Sequence, residues 1–301
     1  MKHKGIFDRI EEAKKRILSG RPDSRPNCGL SEDPGKPQLN PHTKSGDTMN
    51  TKEDYIGVFD SGLGGISVLR HLRRVLPEEK FLYFGDSSNA PYGTKTKDEV
   101  KALTFAAAEK LMDRGIKALV VACNTATSAA INDLRAAWPD LIIIGIEPAL
   151  KLAADKFPGG ALGVMATPMT LREEKFAALM ARYEGSCRVY KLPAPGLVEL
   201  IESGKADSPE AEELLKNLFA ACPEKLDAVV LGCTHYPFAS EALRRVLGED
   251  VALLDGGDGT ARETRRRLAA ADLLRCGEGQ IVMENSRGGE LLIRSRELLE
   301  K

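Results

Sequence analysis

Ala122-Cys123-Asn124-Thr125 and Gly232-Cys233-Thr234-His235 are the two stretches of this sequence whose residue types could do chemistry, and each follows a short apolar run. The runs, Ala118-Leu119-Val120-Val121 and Ala228-Val229-Val230-Leu231, carry the branched side chains that favour buried strands. Each therefore delivers a thiol where a strand stops. Cys123 is followed by Asn124-Thr125 and an alanine-rich helical pattern, Cys233 by Thr234 and by Tyr236-Pro237, the proline being suited to a first helical turn. In parallel α/β sheets ligands bind at the carboxyl ends of strands, so two such elbows can converge on one cleft and present two sulfurs to one small molecule.

A lone cysteine after a strand is ordinarily a small buried apolar residue. Two in matched elbows, each beside hydroxyl or amide side chains, point further, and three uses compete. A metal site needs three or four ligands, and only Cys123, Cys233 and His235 gather near the elbows, so no metal is expected. A covalent hydrolase needs one thiol with a histidine, which leaves the second thiol idle. General acid–base catalysis by two thiols on opposite faces of one carbon employs both. Inverting a stereocentre that bears hydrogen takes a base on one face and a proton donor on the other, and a thiol, with a reference pKa of about 8.5, fills either role near neutral pH with modest tuning. Asp60 and His235 are the neighbouring groups able to assist.

The elements that must place these residues alternate between strand and helix. Strand patterns fall at 56–59, 80–84, 118–121, 141–146, 161–165, 188–192, 228–231, 251–254 and 280–284. Between them helices are expected at 66–76, 97–113 and 126–137, in one run through Tyr183, at 196–203, 209–221 and 259–274, after Pro237, and in a charged segment at 290–300. Asp60-Ser61-Gly62-Leu63-Gly64-Gly65 lies between the first strand and its helix, where glycines let an anionic group approach free N–H donors; it is not a dinucleotide fingerprint. The second half repeats the plan of the first, each half ending a strand in cysteine. The chain is thus expected to be α/β, with two pseudo-symmetric lobes, each a mainly parallel sheet flanked by helices, and an active site in the cleft between them.

The chain is 301 residues long, with a net charge of −1, 43% apolar and 29% charged residues, a composition with no bias toward a polyanion, so no nucleic-acid role is expected. No run of 18 apolar residues and no signal core occurs, which points to the cytoplasm and to no membrane span. The six cysteines show no Cys-x-x-Cys spacing, and free thiols rather than a disulfide framework are expected. Residues 1–54 read as a disordered leader, dense in Pro, Gly, Ser, Asn, Asp and Lys after a brief amphipathic pattern at 6–18, and Met49 is a candidate natural start. No pyridoxal-phosphate, nucleotide or other cofactor motif is present, so no cofactor is expected. The partner is a small molecule, and a homodimer is left open.

Asp60-Ser61-Gly62-x-Gly64-Gly65, Pro91-Tyr92-Gly93, Cys123-Asn124-Thr125 and Gly232-Cys233-Thr234-His235-Tyr236-Pro237, in this order and spacing, resemble the aspartate/glutamate racemase superfamily over about residues 55–275, the glutamate-acting members in particular. The resemblance implies interconversion of L- and D-glutamate without a cofactor, supplying D-glutamate for peptidoglycan. It implies Cys123 as the base toward D-glutamate and Cys233 as the base toward L-glutamate. The substrate contacts it carries over are Asp60, Ser61, Tyr92, Gly93, Asn124, Thr125, Thr234 and His235, with Thr167 and Glu202 in addition. It divides the chain into a lobe A of 55–147 plus 255–285 and a lobe B of 148–254, leaving 286–301 as a charged C-terminal tail. The family's last motif reads Asp-Ser-Gly-Ala, where this chain has Asp255-Gly256-Gly257-Asp258. Because the thiol pair specifies inversion and not side-chain length, a racemase of aspartate or another acidic amino acid is the alternative. A two-lobed protein that only binds an anion is the competing class, though it leaves both thiols without a task.

Overall fold

A computed structural model describes residues 50–183 and 185–300; the leader, its amphipathic pattern and Met49 lie outside the described residues. The first half runs β1 (Tyr55–Asp60), α1 (Ile66–Val75), β2 (Lys80–Gly85), α2 (Lys97–Met112), β3 (Ile116–Val121), α3 (Asn124–Ala137) and β4 (Ile142–Gly145). After the short α4 (Leu150–Lys156) come β5 (Ala161–Ala166), α5 (Pro168–Arg172), α6 (Glu174–Ala181), β6 (Arg188–Pro193), α7 (Leu197–Glu202), α8 (Pro209–Phe219) and β7 (Ala228–Leu231). The chain closes with α9 (Ser240–Leu247), β8 (Ala252–Asp255), α10 (Gly257–Ala270), β9 (Gln280–Asn285) and α11 (Gly289–Glu300).

These strands form two sheets, β4-β3-β1-β2-β9 and β6-β5-β7-β8, and every pairing in both is parallel. The architecture is therefore the two-lobe α/β arrangement expected. Read from β2, the first sheet runs β2-β1-β3-β4, the order that β6-β5-β7-β8 repeats. The cysteine strands β3 and β7 hold equivalent places.

Continuous apolar runs are what strands covered on both faces require. Along β7 the side chains alternate between two cores: Val229 and Leu231 pack with Leu197, Ile201, Leu215 and Leu243, whereas Ala228 and Val230 pack with Leu150, Ala153, Phe176 and Met180. One face of the first sheet presents Ile56, Val58, Ala118 and Val120 to Ile66, Leu69 and Leu72 of α1 and to Leu268 of α10. Leu298 and Leu299 of α11 join this core, so the charged segment at the C-terminus is docked by an apolar side.

Two local expectations change. The single helix expected through Tyr183 is two: Thr167 caps α5 by accepting the Thr170 N–H, and the extended backbone of Glu173 separates α5 from α6. Glu173 is nearly buried there and pairs with Lys97 at 2.6 Å, a contact from α2 that no local pattern reveals. α4, in the link between the lobes, was not expected and is only seven residues long.

Candidate active site

Cys123 is the N-cap of α3, its backbone extended, and its sulfur accepts the Ala126 N–H at 3.4 Å. The sulfur also lies 3.5 Å from Ser61 Oγ at the end of β1. Burial pushes this thiol up, and the nearby Asp60 carboxylate adds to the shift; Ser61 and the Ala126 N–H offset only part, leaving it at about 12. Cys123 is thus a protonated thiol at neutral pH, with a proton to give.

The second elbow follows β7. Cys233 Sγ is 3.8 Å from His235 Nδ1, and the other ring nitrogen, Nε2, is 3.0 Å from Glu202 Oε1. Burial disfavours the imidazolium, but the Cys233 and Glu202 partners outweigh it and hold His235 well above the ordinary imidazole range. Burial likewise raises Glu202, yet His235 and the Leu63 N–H bring it below its usual value. Thr234 Oγ1 donates to Asp60 Oδ1 at 3.0 Å, and Asp60 Oδ2 accepts the Gly62 N–H at 2.9 Å.

The glycine-rich turn after β1 therefore holds a carboxylate, and that carboxylate belongs to the chain itself. A Cβ on Gly62 would collide with Glu202 Oε1, and one on Gly64 would collide with His235 Nδ1 and stand 2.5 Å from Thr234 Oγ1. The turn is bare where the second lobe's acid–base pair approaches it.

Ser61, Tyr92, Gly93, Cys123, Asn124, Thr125, Thr167, Glu202, Cys233, Thr234 and His235 line one cleft of about 640 Å3, its open mouth included, a size usual for small-molecule sites. Asp60 does not line it: fully buried, it stands behind Thr234 and the glycine turn. Both sulfurs lie deep in this cleft, with Cys123 at 5% and Cys233 at 7% exposure. Asn124, 4% exposed at the first turn of α3, has neither its Nδ2 nor its Oδ1 bonded among the described residues. A buried amide without partners is costly, and one lining a cleft beside a helix N-terminus is placed to receive both a carboxylate and an ammonium.

Three groups escaped the sequence reading. Thr170 joins Thr125 and Thr167 in a ring of hydroxyls at 2.9 to 3.1 Å that crosses from α3 to α5. Asp86 accepts the Tyr92 hydroxyl at 2.8 Å and the Asn89 amide, so that burial and this carboxylate raise the phenol well above its ordinary range. Ser67 reaches the second elbow from α1. The capping spacing of Thr167 and Thr170 was a usable signal, whereas Asp86 lies in a loop with no periodicity. Among the described residues, no group of three or more His, Cys, Asp or Glu side chains is arranged to hold a metal ion.

Residues 56–264 match the family model described as Asp/Glu/Hydantoin racemase. A glutamate racemase of Clostridium novyi is 56% identical over 214 residues, 71% of this chain and 83% of that protein. The crystal structure of glutamate racemase from Thermus thermophilus, in complex with beta-chloro-D-alanine, superposes with a TM-score of 0.72 at 37% identity, covering 84% of this chain and 95% of that one. The Francisella tularensis glutamate racemase in complex with D-glutamate gives 0.73 at 26% identity, covering 83% of this chain and 95% of that one.

Proposed function

The chain belongs to the Asp/Glu/Hydantoin racemase family, an isomerase acting on amino acids, and we propose that it interconverts L- and D-glutamate with Cys123 and Cys233 as the two acid–base groups. The observation that carries this reading is the pairing of two buried thiols, one from each sheet, in one cleft beside an amide unpartnered among the described residues. Curated relatives 56% and 49% identical to this chain carry the name glutamate racemase.

In the direction from L-glutamate, the Cys233 thiolate takes the α-hydrogen as a proton, and the electron pair left on carbon is delocalised into the adjoining carboxylate. Cys123, protonated at rest, gives its proton to the opposite face, and D-glutamate leaves with Cys123 as thiolate and Cys233 as thiol. The reverse direction exchanges the roles and restores the starting state. His235, charged through its contacts with Cys233 and Glu202, faces the sulfur that carries charge before abstraction. Ser61, Asn124, Thr125 and Thr234 with backbone N–H groups hold the two carboxylates, and Tyr92, Gly93 and Thr167 complete the walls. Charge-assisted hydrogen bonds of this kind contribute roughly 1.5–3 kcal/mol each. Asp60 acts from behind, through Thr234.

As proposed, the reaction needs no metal or other cofactor, runs in the cytoplasm and supplies D-glutamate for peptidoglycan synthesis. Among the described residues no helix is long and apolar enough to cross a membrane. The test is loss of circular dichroism from L-glutamate, and separately from L-aspartate, with dialysed and chelated protein. Rapid loss with glutamate supports the reading. Turnover of aspartate alone moves the assignment to that acid, and activity restored only by added pyridoxal phosphate overturns the mechanism.

A further inference from the structure

The carbonyls of the second elbow are unequally served. Cys233 O accepts the Tyr236 N–H at 3.1 Å and His235 O accepts the Phe238 N–H at 3.0 Å, the regular pattern of a tight turn. Thr234 O, between them, would take its bond from residue 237, but Pro237 has no N–H. The donor comes from the other lobe: Ser67 Oγ, buried on the first turns of α1, lies 2.9 Å from Thr234 O. The same oxygen lies 2.9 Å from Gly64 O, three residues back in the turn that leads into its helix, which already accepts the Ser67 N–H at 3.0 Å.

We propose that Ser67 is a positioning residue for Cys233, its hydroxyl bonding the Thr234 carbonyl when the cleft is closed and falling back on the Gly64 carbonyl when the lobes part. This rests on the glutamate racemase reading above. A serine hydroxyl has one proton, and a helical serine ordinarily gives it to the carbonyl three or four residues back. Separation of the lobes therefore strands no buried donor. Closure redirects the proton to a carbonyl that the proline has left open.

Closure and opening both matter here, because the sulfurs and Asn124 are less than a tenth exposed and a substrate must enter past them. The bond to Thr234 O fixes the peptide next to Cys233, while Thr234 Oγ1 is fixed on Asp60. The two contacts tie the second elbow to the first lobe at two atoms of one residue, the carbonyl oxygen and the hydroxyl of Thr234. A sulfur held this way keeps its distance from a carbon bound mainly by first-lobe groups, and proton transfer is steeply sensitive to that distance.

The experiment compares wild type, Ser67→Ala and Ser67→Thr in both directions, using unlabelled and α-deuterated glutamate, with thermal unfolding as a check on folding. Ser67→Ala is expected to lower kcat about tenfold with KM changed less than threefold. Its deuterium isotope effect on kcat should rise from L-glutamate, where Cys233 is the base, and change little from D-glutamate. Ser67→Thr, which keeps the hydroxyl, should restore both. If the alanine variant does not fold, Ser67→Cys, with a weaker donor of similar size, is read the same way. An alanine variant with wild-type kcat, or one whose isotope effects shift equally in the two directions, overturns the proposal. A wild-type protein that does not racemise glutamate overturns the underlying reading instead, so the two failures are distinguishable.

Discussion

Asn124 is the residue at which the folded chain and its proposed ligand make opposite demands. Both polar atoms of its amide are buried and unbonded, a condition that costs about 1–3 kcal/mol in the free protein. Asn124→Leu, close in size and without polar atoms, should raise the free energy of unfolding by an amount of that order while raising KM for glutamate about 10- to 100-fold. Thermal unfolding beside steady-state kinetics checks both halves, and an unchanged KM removes Asn124 from the site. His235 and Glu202 give a prediction in pH. His235 is raised above 6.5, so its contribution to stability is complete below pH 6.5 and is lost as pH rises through the higher folded value. Glu202 is lowered below 4.5, so its contribution is complete above pH 4.5 and is lost as pH falls through the lower folded value. The difference in unfolding free energy between wild type and Glu202→Gln should therefore be greatest between these two pH values and shrink on either side. A difference independent of pH contradicts the pairing. His235 entered the sequence reading from its place beside the second thiol and Glu202 only through motif resemblance, because nothing in local periodicity says that a glutamate at the end of one helix will meet a histidine 33 positions later.

At the scale of elements, what the sequence made legible was whatever local pattern decides. Strands covered on both faces announce themselves as apolar runs, and the two cysteine elbows follow from where those runs stop. The break at Glu173 and the short α4 were not legible, since the first depends on Lys97 from another helix and the second has too few residues to show a period. The glycine-rich turn was legible as an element, but the approach of His235 and Glu202 to it was not, because glycine records that something comes close and not what does. Gly64→Ala tests the need for a bare turn at this approach. A methyl group there must displace His235 or Thr234, and overpacking of this kind costs about 1–3 kcal/mol. The variant should lose stability by that order and lose kcat/KM at least tenfold in both directions. A variant with full activity and unchanged unfolding would show that the turn has room for a side chain.

On the scale of the whole molecule, the repeated strand order explains why there are two thiols and why they meet. β3 lies beside β1 as β7 lies beside β5, so each sheet delivers its cysteine from the same place in the same plan. The chain passes between the sheets twice, after β4 and after β8, and the crossings touch where Gly256 rests on the Glu147 carbonyl, leaving no room for a side chain. Across the cleft the lobes meet through hydroxyls: the threonine ring on one side, Thr234 with Asp60 and Ser67 on the other. Such contacts separate and re-form with no ion pair to break, as a deep site with a small substrate requires. Two thiols so placed should divide one inversion between them. The most direct measurement runs each enantiomer of glutamate in deuterated water and follows label in product and in recovered substrate. Product should carry solvent deuterium from the first turnover in both directions, because the thiol that completes inversion has exchanged with solvent, while substrate recovered early should hold little. Product that retains the substrate's own α-hydrogen in either direction would mean that a single group removes and returns the proton, and would contradict the pairing of Cys123 with Cys233.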